Sequence, residues 1–278
     1  MRLVLQSPAL SPSHLHRIAA FTGSARFTQL SSQAAYQATT LREPGPVHEY
    51  CDQHAIDCAL VPDDQTLDRF GLVVMDMDST LISIECIDEI ADMQGLKPRV
   101  AAITESAMRG EIEFAESLRR RVALLAGLDQ SALQCVYDER LQLNPGAQTL
   151  IDTLKARGIK TLLVSGGFSF FTDRLKQRVG LDYAYGNLLE IRDGKLTGKV
   201  VGDILDAQAK ADWLVKVRDE LGLKPDQVIA IGDGANDLKM MSAAGIGIAY
   251  HAKPVVRQQA SYALSHVGLD GVLNLLTL

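Results

Sequence analysis

Leu72-Val73-Val74-Met75-Asp76-Met77-Asp78-Ser79-Thr80-Leu81 is the stretch on which the reading of this 278-residue chain turns. An apolar run without alternation predicts a strand covered on both faces, as in a parallel sheet, rather than one half open to water. Open α/β sheets bind their ligands beyond the carboxyl ends of such strands. Asp76 and Asp78 stand at that end, one residue apart. Two acids buried there need a cation, a proton or a partner to offset their desolvation.

Further along, the pattern predicts helix 147–157, strand 159–165, helix 168–179, helix 207–221, strand 228–232, helix 236–244 and strand 245–250. Alternation of this kind specifies an α/β fold with a doubly wound parallel-sheet (Rossmann-like) core. Within 188–200, Asp193-Gly194 between alternating residues predicts a hairpin. Residues 83–143 read instead as an inserted helical cap, punctuated by Gly95, Gly110 and Gly127, with Pro98 suited to a first helical turn. In its predicted helix 113–126, Phe114, Leu118, Val122 and Leu125 form an apolar stripe that also carries Arg121.

On the amino-terminal side the pattern gives strand 3–6, helix 12–21 opened by Ser11-Pro12, one or two strands between 26 and 41, helix 47–54 and strand 56–61. This is a small α+β (ferredoxin/ACT-like) domain over 1–68, followed by a polar linker at Pro62-Asp63-Asp64-Gln65-Thr66. The remaining 69–278 divide into a core, 69–82 and 144–278, and the cap at 83–143.

With 47% hydrophobic and 22% charged residues, the composition excludes disordered, collagen-like and coiled-coil classes. A net charge of −6 without a basic patch argues against a nucleic-acid partner, since Arg119-Arg120-Arg121 is too short to be one. The apolar start Leu3-Val4-Leu5 is interrupted by Pro8 and Pro12, so neither a signal peptide nor a membrane span is expected. Cys51, Cys58, Cys86 and Cys135 lack zinc-type spacing and read as packing residues of a cytoplasmic protein.

Three predicted strand ends converge at one edge of a parallel sheet: Asp76-Met77-Asp78-Ser79-Thr80, Ser165-Gly166-Gly167 and Gly232-Asp233-Gly234-Ala235-Asn236-Asp237. Asp76, Asp78, Asp233 and Asp237 repel an anionic substrate unless a divalent cation neutralises them, and all-oxygen ligation points to Mg2+. Ser165 and the amides at Gly166 and Gly167, read as opening a helix, suit phosphate oxygens, and Lys210 can add positive charge. A carboxylate at 76 in line with phosphorus can attack it, while Asp78 protonates the leaving alcohol and later takes a proton from water. Blander readings stand beside these: a solvated helix-start lysine for Lys210, an ion pair inside the cap for Arg121, and a helix N-terminal acid for Glu85.

Assembled, these residues resemble the haloacid dehalogenase superfamily, and within it the phosphoserine phosphatase subfamily, from about 70 to 278. The match rests on Asp76-Met77-Asp78-Ser79-Thr80, Glu85, Phe114 to Val122, Val164-Ser165-Gly166-Gly167-Phe168, Lys210 and Gly232 to Asp237. The resemblance implies Asp76 as nucleophile and Asp78 as general acid/base. It implies Mg2+ on Asp76, the Asp78 carbonyl and Asp233, with Asp237 behind them. Ser165, Gly166 and Lys210 would hold the phosphoryl group, with Asn236 nearby, and Glu85 and Arg121 would read the ammonium and carboxylate of phosphoserine. It further implies release of L-serine as the last step of serine biosynthesis, and an amino-acid-binding regulatory role, or a homodimer contact, for 1–68. The rivals are a phosphotransferase passing the group to another hydroxy amino acid, a receiver-like signalling module, and a silent amino-acid-binding protein.

Overall fold

The computed structural model describes residues 1–24, 26–30, 35–39 and 45–277. In the amino-terminal part, β1 (Arg2–Gln6), α1 (Pro12–Thr22), β2 (Thr28–Gln29), β3 (Ala35–Thr39), α2 (Gly45–Gln53) and β4 (Asp57–Val61) follow one another. Their sheet runs β2-β3-β1-β4 with every neighbour antiparallel, the ferredoxin-like order. Strands fall at 28–29 and 35–39 within the 26–41 window, whose positions 31–34 and 40–41 lie outside the described residues. Ser11 caps α1, accepting from the His14 amide, and Pro12 follows as the sequence anticipates.

One face of this sheet carries the helices, where Leu3, Leu5, Ile18, Val47, Cys51 and Ile56 pack together. The other face meets the carboxyl-terminal segment: Val4, Ala59 and Val61 join a cluster with Leu264, Leu269, Val272 and Leu275. Arg2 Nη2 donates to the Leu275 carbonyl (3.1 Å) and Gln6 Nε2 to that of Gly271 (3.1 Å), while Asp57 accepts from the Ser265 and His266 amides (2.7 and 2.9 Å).

The 72–75 run becomes β5 (Leu72–Met75), with all four side chains inaccessible to water. Each such burial contributes about 1.5–3 kcal/mol relative to exposure. Four helices follow: α3 (Cys86–Asp92), α4 (Lys97–Met108), α5 (Phe114–Ala123) and α6 (Ser131–Glu139). Gly95, Gly110 and Gly127 separate them in left-handed conformations, and Pro98 lies in the first turn of α4. Then come α7 (Ala147–Ala156), β6 (Lys160–Phe168), α8 (Ser169–Val179), β7 (Tyr183–Arg192), β8 (Lys195–Val201), α9 (Ala207–Glu220), β9 (Val228–Gly232), α10 (Leu238–Ala243), β10 (Ile246–Tyr250), α11 (Pro254–Gln259), β11 (Tyr262–Leu264) and α12 (Gly271–Asn274).

The larger sheet is ordered β11-β10-β9-β5-β6-β7-β8, parallel except where β8 returns against β7. From β5 the chain winds outward through β6 and β7, then crosses back by α9 to β9 on the other side. The winding direction reverses between β5 and β9, where a doubly wound sheet opens its crevice.

Three readings change. β6 continues through Ser165, Gly166 and Gly167 to Phe168, so these residues end a strand and α8 starts only at Ser169. The fully buried Phe168 ring keeps the chain extended, and the pairing with β7 shifts register between Val164 and Phe168. The 236–244 helix divides into a 3₁₀ turn, Ala235–Asp237, and α10, because Asp237 turns inward. The 113–126 helix ends at Ala123. The short elements β11, α11 and α12 carried too little periodicity to be read.

Candidate active site

Beyond β5 the chain makes one wide turn, Met77–Leu81, closed by the amides of Leu81 and Ile82 on the carbonyls of Asp76 and Met77. Asp78 is extended there (ψ 135°) and Ser79 left-handed (φ 56°). A non-glycine residue in that region is uncommon, and here it lets Asp76 and Asp78 reach one opening. Asp76 Oδ1 accepts from the Met77 amide (2.7 Å) and pairs with Lys210 Nζ (2.8 Å). Asp78 Oδ1 accepts from the Cys86 amide at the start of α3 (2.9 Å), and Oδ2 accepts from Ser165 Oγ (3.4 Å).

Lys210, on the first turn of α9, is buried with its two acids and also donates to Asp237 Oδ1 (2.7 Å). Asp206 holds that turn by accepting from the Gln208 and Ala209 amides, both at 2.9 Å. Beyond β9, Asp237 Oδ2 accepts from the amides of Asp233 and Gly234 (3.2 and 3.0 Å), and Thr80 Oγ1 donates to Asp233 Oδ1 (3.0 Å). Asn236 folds back over Gly234, where a methyl group would collide with its Oδ1.

Asp76, Asp233 and Asp237 each place a carboxylate oxygen within 4.8 Å of the others. Three carboxylates against the single Lys210 leave two negative charges, the deficit one divalent cation makes good. The donor set therefore fits a hard dication with oxygen ligands. Without that charge the carboxyls resist ionisation. Burial, reinforced by Asp237, holds Asp76 well above the usual carboxylate range, and burial raises Asp78 as well. Asp233 is pushed up to about 6 by burial and then by Asp237. Burial opposes the Lys210 ammonium, but Asp237 and Asp76 outweigh it and raise the group, so Lys210 is charged.

One side of the opening is bounded by the end of β6. A methyl group at Gly167 would lie 2.6 Å from Asp78 Oδ2, and one at Gly166 would lie 2.9 Å from the Phe114 ring. At Gly167 bare backbone thus approaches Asp78, and at Gly166 it lies against Phe114. At the start of α3, Glu85, which still reaches water, accepts from Ser79 Oγ (2.7 Å) and is pushed up to about 8, by partial desolvation and then by Asp78. On α5, Phe114 covers Gly166. Arg121 is half-buried; desolvation lowers its affinity for its proton, against the pull of Asp88, Glu85 and Asp78. Its Nε has no hydrogen-bond partner and no carboxylate lies within ion-pair distance among the described residues.

The residues singled out from the sequence thus meet at one opening: Asp76, Asp78, Asp233, Asp237, Lys210, Ser165 and Gly166 from the sheet, Glu85 and Arg121 from the cap. Sequence reasoning gave no part to the Thr80 hydroxyl that steers Asp233 or the Ser79 hydroxyl that steers Glu85. Their place within the quoted stretch was the available signal. Asn144, whose amide donates to the carbonyls of Thr80 and Ile82 (2.8 and 3.1 Å), had none.

The profile of the haloacid dehalogenase-like hydrolase family matches residues 70–245, and a domain of unknown function (DUF4072) matches 3–36. A curated relative from Polaromonas sp. (strain JS666), named phosphoserine phosphatase, is 55% identical over 217 residues, 76% of this chain and 92% of its own. Among solved structures, a HAD family hydrolase from Salmonella enterica serovar Typhi superposes with a TM-score of 0.90 at 34% identity, covering 99% of this chain and 97% of the other. A substrate-bound phosphoserine phosphatase complex gives a TM-score of 0.70 at 38% identity, covering 75% of this chain and 99% of the other.

Proposed function

The chain belongs to the haloacid dehalogenase-like hydrolase family, and from that premise we propose that it is a Mg2+-dependent phosphatase converting O-phospho-L-serine to L-serine and phosphate. The observation that carries the substrate is Arg121: a half-buried guanidinium whose Nε has no hydrogen-bond partner and which has no ion-pair partner among the described residues, near enough to Glu85 and Asp78 to feel their charge. A guanidinium fork matches a carboxylate and a glutamate matches an ammonium, so the two together suit an amino acid. The names of the 55%-identical relative and of the substrate-bound complex agree with that choice.

In the proposed reaction Met77 and Lys210 hold Asp76 Oδ1, leaving Oδ2 to attack phosphorus. The serine oxygen leaves as Asp78 gives it a proton, and an aspartyl-phosphate remains on Asp76. Asp78 then takes a proton from the water that cleaves the acyl phosphate, returning Asp76. Lys210, Ser165 and the amides of Gly166 and Gly167 hold the phosphoryl oxygens throughout, with Asn236 beside them. Asp76, the Asp78 carbonyl and Asp233 would hold Mg2+, with Asp237 anchoring Lys210 and the Asp233 loop; the ion supplies the positive charge that lets the two anions meet. The cap helices α3–α6 above the acids give a receiver domain nothing to use, which favours hydrolysis over signalling.

We assign 1–68 to a separate small domain and 83–143 to the cap, since β1–β4 form their own sheet and α3–α6 leave and re-enter the core at Ile82 and Leu143. The same proposal places the enzyme in the cytoplasm, at the last step of serine synthesis. The four cysteines are unpaired, and among the described residues no helix is long and apolar enough to cross a membrane. A homodimer through 1–68 would use β2, the edge strand of the sheet among the described residues; a monomer in sedimentation would refute that contact.

Substrate profiling tests the central claim. Asp76→Asn should abolish both turnover and acid-stable phosphoenzyme, and turnover like the wild type would overturn the mechanism. Arg121→Ala should lower kcat/KM for phosphoserine by about a hundredfold while sparing p-nitrophenyl phosphate. Equal loss on both esters would make Arg121 structural.

A further inference from the structure

Asn187, on β7, belongs to none of the motifs above, yet its buried side-chain amide ties together the two segments that face the phosphate. Its Nδ2 donates to the Gly166 carbonyl (2.8 Å), and its Oδ1 accepts from the Leu205 amide (2.8 Å). Only 3% of Asn187 is exposed, so both contacts are shielded from competing water.

The first contact acts through peptide geometry. In a trans peptide the carbonyl of one residue and the N–H of the next point in opposite directions. With its oxygen drawn to Asn187, the Gly166–Gly167 unit turns its N–H onto Ser165 Oγ (2.8 Å), whose hydroxyl in turn donates to Asp78 Oδ2 (3.4 Å). Glycines at both positions leave this peptide free to turn over, and β6 is already out of register with β7 here. The orientation therefore needs an external anchor.

The second contact reaches the other side of the phosphate site. Leu205 immediately precedes Asp206, which caps α9, and the Asp206 carbonyl accepts from the Lys210 amide (2.9 Å). A single side chain thus sets the loop that presents an amide and the helix that presents an ammonium.

We propose that Asn187 is a positioning residue for phosphoryl recognition, holding the Gly166 carbonyl away from the opening so that the Gly167 amide fixes the Ser165 hydroxyl where the phosphoryl oxygens would bind. The inference rests on the phosphatase reading for the identity of the ligand. It concerns the phosphate half of the site alone, leaving the amino-acid half at Glu85 and Arg121 untouched.

The test separates the halves by measuring inorganic phosphate and L-serine binding to the Mg2+-loaded protein by calorimetry, with kcat and KM for phosphoserine alongside. Asn187→Asp keeps the acceptor for Leu205 but sets a second acceptor against the Gly166 carbonyl; Asn187→Ser removes the reach without adding charge. Both should weaken phosphate binding by about tenfold and raise KM, while L-serine binding stays within about twofold of the wild type. Phosphate and serine affinity falling together, or phosphate affinity unchanged, would overturn the proposal. So would an effect confined to the aspartate variant, which is charge repulsion, or loss of the fold in both variants, which is a structural role. A wild type that binds phosphate but leaves phosphoserine intact would instead refute the phosphatase reading, with the Asn187 comparison still readable.

Discussion

Thr80 shows how much a single hydroxyl decides at this site. It is fully buried, and its one described side-chain contact is the hydrogen bond to Asp233 Oδ1. Groups that orient a metal-binding carboxylate commonly change metal affinity about 10–100-fold when removed. Thr80→Val, which keeps the shape, should raise the Mg2+ concentration for half-maximal turnover by about tenfold while saturating Mg2+ restores most of the rate. A titration of activity against Mg2+ reads this directly, and an unchanged midpoint would show that the backbone alone places Asp233. At this scale the acids were legible from sequence because they follow apolar runs at strand ends. The hydroxyls and amides that aim them were not, because Asn187 and Thr80 gain their roles from partners 21 and 153 residues away.

Among elements, the chain leaves the larger sheet for α3–α6 and returns to it at one crossing. Two strands of chain pass there, bridged at Ile82 and Leu143, with the Ser83 amide on the Gln142 carbonyl (3.0 Å) and the Asn144 amide on that of Leu81 (3.0 Å). The Asn144 side chain adds two donations, to Thr80 and Ile82. Asn144→Ala leaves those carbonyls unpaired and should cost about 1–3 kcal/mol of stability. Urea unfolding measures it, and a midpoint equal to that of the wild type would show that water replaces the amide at no cost. The long strands and helices of the core were readable because their apolar periodicity is set by burial itself. The extension of β6 through Gly166 and Gly167 was hidden, since paired glycines read as a turn unless a neighbouring strand pairs beyond them. Because α8 begins only at Ser169, no helix N-terminus stands at Ser165, and the proposed phosphate contacts there must come from single groups rather than a helix dipole.

Over the whole molecule, the acids couple stability to pH. In the metal-free protein Asp76 and Asp78 are raised, Asp233 is pushed up to about 6 and Glu85 to about 8. Carboxyls that hold protons more tightly folded than unfolded stabilise the fold at low pH and lose that contribution as pH rises from their unfolded values, about 4, toward about 8. The metal-free Tm should therefore fall across that range. A divalent cation on these acids would bind their ionised form, so if the proposed Mg2+ site is right the stabilising effect of Mg2+ should be larger at pH 8 than at pH 5. Thermal melts at both values with and without Mg2+ check this, and an equal Mg2+ increment at the two would refute the linkage.

By itself the sequence determined that an apolar strand ends in paired acids, that two further strand ends carry matching polar groups, and that a helical segment interrupts the core. Those features follow from local periodicity and from the cost of burying charge, which every residue expresses in place. Only the tertiary structure decided that Lys210 joins Asp76 to Asp237, that the Arg121 Nε is buried without a hydrogen-bond partner among the described residues, and that Asn187 grips the paired glycines of β6. It also decided that the second face of the small sheet is covered by the chain's own carboxyl-terminal segment. Such pairings depend on which distant segments the sheet order makes neighbours, and no local pattern carries that information.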